Sequence, residues 1–331
     1  MMRRVVLHEF GPYSNLQFED LPDPEPGPGQ AVVAIEAGGI GFVDTLCVHG
    51  TYQALPALPW VPGCELAGTV VAVGDGVTRF AIGDRVLSTS WTASFQTHAV
   101  LREDELGPVP GPLSAGQAAG LVASYGTMLY AFTCRMSLAP GEWVVVLGAG
   151  GGVGLAATDL ATSMGARVIA CASSSDKLEL AARAGAEITV DYSDPALDLK
   201  AVIREHTGGG ADVAVDPVGG PRAAQALRGL RFEGRHVIVG FASGEIPQLP
   251  LNQVLLNDRT VIGIDWDLWG RSRPAERAVL LEKLFALAAY GRIHPAEPTA
   301  YALEDAAIAL DDLEHRRVAG KVVLAPQGVV S

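Results

Sequence analysis

Hydrophobic and polar positions divide the chain into three textures. Over the first hundred or so residues, apolar runs such as AVVAIEAGGI (from Ala31) and LAGTVVAVG (from Leu66) are separated by Gly and Pro clusters, notably PDPEPGPGQ (from Pro22). This is the pattern of β-strands joined by tight turns. Gly74, Gly76 and Gly83 punctuate it, and MMRRVVLHEF, followed by Gly11-Pro12, reads as an opening strand. From Ala115 the texture changes to helix formers in AGQAAGLVASYGTMLYAFTCRM, and Pro140-Gly141 closes that stretch. Strand and helix then alternate. Strands are predicted over 143–147, 167–171, 187–190, 213–217 and 236–240, and helices over 153–164, 175–184, near 197–206 and over 223–230. After Val261 the pattern is mixed, with helices over 275–290 and 303–314 and a closing strand KVVLAP from Lys321.

Regular alternation of strand and helix, with nearly continuous apolar strands, predicts an α/β fold whose parallel sheet is covered by helices on both faces. The expected organisation is a doubly wound (Rossmann) nucleotide domain over 121–261. It interrupts a mostly β domain built from 1–120 and a return segment, 262–331, and a cleft is expected where the two meet.

Composition narrows the function classes. A chain of 331 residues with 49% hydrophobic and 18% charged residues can bury two cores. Its net charge of -13 opposes the phosphate neutralisation that nucleic acids demand and disfavours anionic membrane surfaces. The uncharged stretch 143–158 is glycine-rich and shorter than the ~20 residues that span a bilayer. Cys47, Cys64, Cys134 and Cys171 lie far apart with no C-x-x-C pair, which speaks against a disulfide framework or a closed zinc site. With no export signal visible, a reducing, cytoplasmic setting is expected.

The strongest chemical signal is WVVVLGAGGGVGLAATDLA from Trp143, a strand running through a glycine turn into a helix. Its spacing is Ala149-x-Gly151-x-x-Gly154, with Ala149 in place of the usual first glycine. Gly151 lets the backbone approach a pyrophosphate, Gly154 lets the helix pack on the sheet, and the helix start offers free N–H groups to phosphate. Ala149, Gly150, Gly151, Gly152 and Val153 are therefore candidate cofactor-binding residues. A tight packing joint is the structural alternative.

At the end of the next strand, RVIACASSSDKLE (from Arg167) has Ala172 where an NAD fingerprint would place an acid for the ribose 2'-hydroxyl. Ser173, Ser174 and Lys177 instead offer hydrogen-bond donors and positive charge to a 2'-phosphate, which favours NADPH. The alternative is an ordinary helix start with a serine N-cap. Tyr192, in ITVDYSD, either flanks the adenine end or is simply a tyrosine at a strand end.

The segments DTLCVHGTY (from Asp44), LPWVPGCELAGTVVAVG (from Leu58), FAIGDRV (from Phe80), GAGGGVGLAA, DPVGG (from Asp216) and VGFASGEIP (from Val239) together resemble the zinc-independent quinone oxidoreductase (zeta-crystallin-like) group of the medium-chain dehydrogenases/reductases. The resemblance spans almost the whole chain. It implies a GroES-like catalytic domain around the nucleotide domain and a homodimer joined at nucleotide-domain sheet edges. It also places Thr127, Gly240, Phe241 and Ala242 along the nicotinamide, with Val218 near the ribose. Where zinc-dependent members carry metal ligands, the matching positions here are Gly41, Cys64 and Ala123, and one thiol cannot supply three ligands.

Without a metal, hydride transfer relies on placing nicotinamide C4 against an already electrophilic carbon. Quinones and α,β-unsaturated carbonyls meet that demand. The expected substrate wall is Gly41, Phe42, Asp44, Tyr52, Tyr125 and Trp266. Tyr52 either donates a proton or hydrogen bond to the developing oxyanion or stacks on the ring, and Asp44 is either a catalytic acid or a loop anchor. His49, His98, His206, His236, His294 and His315 show no metal-like spacing and read as satisfied or surface histidines. Two other functions remain open: reduction of an enoyl or acryloyl thioester, for which Arg271 and Arg273 are the only local hint, and a structural or regulatory NADPH-binding role with little turnover.

Overall fold

The computed structural model describes residues 1–89 and 91–328. They form two compact units, one of the described residues within 1–123, 288–290 and 297–328, the other of residues 124–287 and 291–296. In chain order the strands are β1 (Met2–Leu7), β2 (Leu16–Leu21), β3 (Gln30–Ile40), β4 (Glu65–Val73), β5 (Arg85–Ser88), β6 (His98–Arg102), β7 (Leu106–Pro108), β8 (Trp143–Leu147), β9 (Arg167–Ala172), β10 (Ile188–Asp191), β11 (Ala211–Asp216), β12 (Leu230–Ile238), β13 (Thr260–Gly263), β14 (Thr299–Ala302) and β15 (Val322–Ala325).

The first unit carries a seven-stranded sheet in the order β14-β15-β3-β4-β5-β7, with β6 pairing β3, and a separate β1-β2 hairpin. The long β3 holds this sheet together because it is antiparallel to β4 along nearly its whole length and to β6 and β15 along different stretches. Its inward residues Val33 and Ile35 pack with Leu66, Val70, Val86, Leu101 and Leu106. A second core, under β1 and β15, gathers Val5, Leu7, Ile40, Phe95, Leu310 and Leu324.

The second unit is a six-stranded sheet in the order β10-β9-β8-β11-β12-β13, parallel throughout. Its strands read as continuous apolar runs because both faces are covered: all five residues of β8 and all six of β11 are buried. The chain leaves β8 toward β9 on one side and returns to β11 on the other. The carboxyl ends of β8 and β11 thus flank the point where strand order reverses, which is where doubly wound sheets bind their ligands.

Many of the expected elements are present with ends shifted by a residue or two, while β12 begins six residues before the expected 236 and the helix Gly220–Gly229 begins three residues before the expected 223. Three further features differ. The Ala-rich stretch from Ala115 is a broken helix, Ala115–Ala118 followed by Gly126–Tyr130, with π-helical turns over Leu121–Tyr125 and Ala131–Arg135. Residues 260–263 add the edge strand β13. Residues 262–287, expected in the return segment, belong to the second unit, because the helix Trp266–Ser272 packs its tryptophans on Tyr130, whose ring stacks on Trp269 at 4.4 Å between centroids.

Candidate functional site

In the second unit the glycine turn follows β8 directly. Gly151 is the N-cap of the helix Gly152–Ser163 and has no side chain to cap it, so the first-turn N–H groups stay available to a ligand. The two outer glycines act differently. A Cβ on Gly154 would lie 2.2 Å from the Gly148 carbonyl oxygen and 2.6 Å from Ala149 Cα, so Gly154 is required by the close approach of helix and turn. A Cβ on Gly151 would meet nothing nearer than the Gly148 oxygen at 3.5 Å. The space over Gly151 is therefore open, as a cradle for a pyrophosphate requires.

Around this turn the structure gathers several of the candidate residues. Lys177, on the helix Ser175–Arg183, runs its stem beside Gly150, where a Cβ would sit 2.4 Å from Lys177 Cβ. Gly148 N–H donates to the Tyr192 hydroxyl at 3.1 Å, and the Arg222 guanidinium lies over the Tyr192 ring at 5.8 Å. Val218 packs its Cγ2 into the space that a Cβ on Gly148 would fill, 2.7 Å away. The loop after β12 is tied to the turn after β11 by Ala242 N–H to Pro217 O at 3.1 Å and Ser243 N–H to Val218 O at 2.8 Å. Gly240, Phe241 and Ala242 thereby stand over the turn that carries Val218.

Ser173 is exposed, as a phosphate donor must be, and Ala172 is buried at the end of β9. Ser174 is the N-cap of its helix without a side-chain cap bond. Its hydroxyl instead hydrogen-bonds Asp176 and holds that carboxyl below the usual range. Asp176 was missed in the sequence. It puts one acid next to Lys177, and a bound phosphate must keep clear of it.

Tyr125, Thr127 and Trp266 also lie in the second unit. Tyr125 is 5% exposed and donates its hydroxyl to Asp159 Oδ2 at 2.8 Å, an oxygen that also accepts His294 N–H at 2.6 Å. Burial, then the Asp159 charge, push the Tyr125 phenol well above its ordinary value. Thr127 is half-buried on the helix Gly126–Tyr130. Trp266 is buried, with Trp269 stacked on one side and the Arg277 guanidinium 5.2 Å from its ring centre.

In the first unit the helix Phe42–Val48 starts at Gly41, and Asp44 anchors that start. Asp44 Oδ2 accepts Gly41 N–H at 2.8 Å and its Oδ1 accepts Gly63 N–H at 2.9 Å. The fully buried carboxyl thus joins the helix start to the chain entering β4. Burial raises the Asp44 pKa to about 6, against the lowering effect of the two N–H donors. Phe42 is half-buried in the first helical turn, and Tyr52 is half-buried with its ring edge-on to Trp91 at 6.4 Å.

Beside Asp44 lies a buried ion pair that sequence reasoning did not single out. Glu65 accepts Lys321 Nζ at 2.6 Å on Oε1 and Ala123 N–H at 3.0 Å on Oε2, and the two side chains are 3% and 13% exposed. Burial is the largest single effect and works against the Lys321 charge, but its neighbours, Glu65 foremost and Asp44 among them, together outweigh it and the ammonium is held above its ordinary value. Cys64 is pushed well above its ordinary value, by burial first and by Asp44 and Glu65 next. Gly41, Cys64 and Ala123 therefore offer one protonated thiol, flanked by a carboxylate already neutralised by lysine. Among the described residues no group of three or more His, Cys, Asp and Glu is placed to hold a metal ion, and no helix is long and apolar enough to cross a membrane.

Ionisation of Asp44 gives a testable pH dependence. Its folded pKa lies above the ordinary 3.8, so its contribution to stability is fully present below about pH 4 and is lost as pH rises through about 6. Comparing denaturation of the wild type with Asp44→Asn should show the wild type losing about 2–3 kcal/mol relative to the variant between pH 4 and 8. A difference curve flat across that range would refute the role of burial at this carboxyl.

Two family models match the chain: an alcohol dehydrogenase GroES-like domain over residues 27–137 and a zinc-binding dehydrogenase over residues 152–281. The mouse quinone oxidoreductase-like protein 2 is 36% identical over 90% of this chain and 85% of its own length. Among solved structures, Escherichia coli quinone oxidoreductase complexed with NADPH superimposes with a TM-score of 0.85 at 30% identity, covering 98% of this chain and all of that one. An NAD-dependent alcohol dehydrogenase matches with a TM-score of 0.88 at 32% identity, over 98% and 99% of the two chains. Domain models, sequence relatives and the strand order of the second unit agree, and the chain belongs to the quinone oxidoreductase group of the medium-chain dehydrogenase/reductase superfamily.

Proposed function

We propose that this protein is an NADPH-dependent reductase that delivers hydride to a quinone or an α,β-unsaturated carbonyl without a metal ion. The observation that carries the reading is the cradle of the second unit: an open space over Gly151 at a helix start, bordered by Lys177 and followed by Ala172 and Ser173 in place of an acid. Similar structures include both an NADPH complex and an NAD-dependent enzyme, so the fold alone leaves the coenzyme open and these residues favour NADPH.

NADPH supplies the hydride when bound. The N–H groups of Gly152 and Val153 at the helix start hold the pyrophosphate, Ser173 and Lys177 hold the 2'-phosphate, and Tyr192 braces the turn through Gly148 N–H. Thr127, Val218, Gly240, Phe241 and Ala242 orient the nicotinamide half. In the first unit Phe42 and Tyr52 are the proposed substrate-facing residues, and Gly41 leaves space beside them. Asp44 is bound on both oxygens to backbone N–H groups and so acts as an anchor. Tyr125 and Trp266 have their polar and ring contacts satisfied within the second unit, so their part in substrate binding is to shape its surface.

The zinc-free reading rests on the donor set. Gly41 and Ala123 provide no ligand atoms, and Cys64 keeps its proton. A homodimer is supported by β13, an edge strand with exposed Val261, near which Leu251, Leu255 and Leu256 are each more than 70% exposed. A cytoplasmic setting fits four free cysteines.

The test is to follow oxidation of reduced nicotinamide after rapid mixing with quinones, enones and enoyl thioesters, with and without chelator. Chelator-insensitive oxidation of NADPH by quinones or enones is expected. Turnover confined to enoyl thioesters, or none with any class despite NADPH binding, would replace the reading. For the coenzyme, Ser173→Asp combined with Lys177→Ala should shift the NADPH/NADH ratio of kcat/KM toward NADH by at least about tenfold, the equivalent of about 1.4 kcal/mol. An unchanged ratio would remove these residues from phosphate recognition.

A further inference from the structure

The least expected polar contact in the second unit lies below the cofactor cradle. His236, near the carboxyl end of β12 and paired with Ala214 on β11 and Val261 on β13, has no solvent exposure, and Asp216, at the end of β11, is 1% exposed. A strand between two other strands gains nothing from a buried imidazole, which costs free energy unless it is hydrogen-bonded. Here the bond is His236 Nε2 to Asp216 Oδ2 at 3.2 Å. The other carboxylate oxygen, Oδ1, accepts two backbone N–H groups, Val218 at 2.9 Å and Gly219 at 2.8 Å. The Asp216 main-chain oxygen accepts Val239 N–H at 2.9 Å. A single aspartate therefore fastens both the turn that carries Val218 and the root of the loop that carries Gly240, Phe241 and Ala242.

The proton on the imidazole is fixed by the same geometry. His236 Nδ1 is buried without a hydrogen-bond partner among the described residues. A proton there would be a stranded donor and would leave a lone pair on Nε2 facing a carboxylate lone pair. The neutral Nε2–H form satisfies the pair. With Oδ2 held by His236, the carboxylate cannot rotate about its χ2 axis, and Oδ1 stays aimed at the two N–H groups.

We propose that His236 is a positioning residue for the dinucleotide: through Asp216 it holds the Val218–Gly219 turn in the shape that packs on Gly148 and borders the nicotinamide half of the cradle. This role rests on the reading of the second unit as an NADPH site. His236 touches neither coenzyme nor substrate, and its effect is on the energy of ordering the turn when coenzyme binds.

The experiment compares His236→Gln with His236→Leu in the full-length protein. The Gln side-chain nitrogen reaches nearly the place of Nε2 and can donate to Asp216, whereas Leu fills the space and leaves Oδ2 unpaired. NADPH affinity is measured by calorimetry, thermal unfolding is measured without coenzyme, and kcat and KM for NADPH are measured with whichever acceptor is turned over. His236→Leu should weaken NADPH binding about tenfold or more, raise KM for NADPH, and leave kcat at saturating coenzyme within about threefold; His236→Gln should recover most of the affinity.

A residue that only stabilised the sheet would lower the unfolding temperature in His236→Leu without moving the NADPH dissociation constant, and that result overturns the proposal. Should His236→Leu fail to fold, nitrogen NMR of the wild-type imidazole keeps the question open to refutation. The proton is expected on Nε2, and a proton on Nδ1 overturns the proposal. Wild-type protein that binds no NADPH overturns the NADPH reading itself, a result distinguishable from wild-type binding that His236→Leu retains.

Discussion

Lys321→Met is expected to destabilise the first unit by about 3–5 kcal/mol, the cost typical of removing one partner from a buried ion pair. The Glu65 carboxylate would keep Ala123 N–H on Oε2 but lose the ammonium on Oε1, in a place where water cannot replace it. The pair links the start of β4 to the residue just before β15, which are separated in the sequence by more than two hundred residues, so its loss loosens both ends of this unit's fold. Adding Glu65→Gln to Lys321→Met should recover a large part of the loss, because the uncompensated charge goes while a hydrogen-bond acceptor for Ala123 stays. Denaturant unfolding of the single and double variants measures both effects. A single variant within about 1 kcal/mol of wild type would show that the pair is hydrated and the carboxylate does not need it.

Gly151→Ala and Gly154→Ala should separate ligand space from packing space within one turn. Gly151 has a φ of -95° that alanine adopts freely, and its Cβ would touch only the Gly148 oxygen at 3.5 Å. The folded protein should keep its unfolding temperature, while NADPH affinity falls at least about tenfold, because the methyl stands where a pyrophosphate must approach the backbone. Gly154→Ala reverses this order. Its Cβ would meet main-chain atoms at 2.2 and 2.6 Å, so helix and turn must separate, at a cost of about 1–3 kcal/mol or more. Cofactor affinity then falls as a consequence of the displaced helix start. Calorimetric titration with NADPH and thermal scans without it decide the matter; equal stability losses in both variants would refute the assignment of Gly151 to ligand space.

The alternation from β8 to β12 was legible because each parallel strand, buried on both faces, must be apolar throughout, and each helix must begin and end at turn residues. The glycine turn was legible for a related reason: close backbone approach tolerates few residue types, and Gly154 is fixed by a carbonyl oxygen lying where its side chain would be. The Ala-rich stretch from Ala115 had helical composition, but its two π-helical turns were not readable there, since alanine permits several helical geometries and packing selects one. β13 escaped notice because four residues on a mostly exposed edge carry little pattern.

The candidate site divides along the same line. Gly151, Lys177 and Ser173 could be named because their chemistry is local, set by spacing along one strand, turn and helix. Asp44 could be named but not given a role, since the choice between acid and anchor depended on Gly63, which folding brings to its second oxygen. Tyr125 pointed toward substrate by resemblance, while the fold gives its hydroxyl to Asp159. His236 read as one more satisfied histidine, and Lys321 as the head of a closing strand. Their partners, Asp216 and Glu65, lie on other strands.

The sequence by itself determined the class of the fold, the place of the glycine turn and the absence of an acid at the last residue of β9, all of which follow from periodicity and from residue types at short spacing. Only the tertiary structure decided which polar groups are neutralised, which hydroxyls are already engaged and which imidazole fixes a turn. Those depend on desolvation and on partners tens to hundreds of residues away, and no local pattern encodes the distance between them.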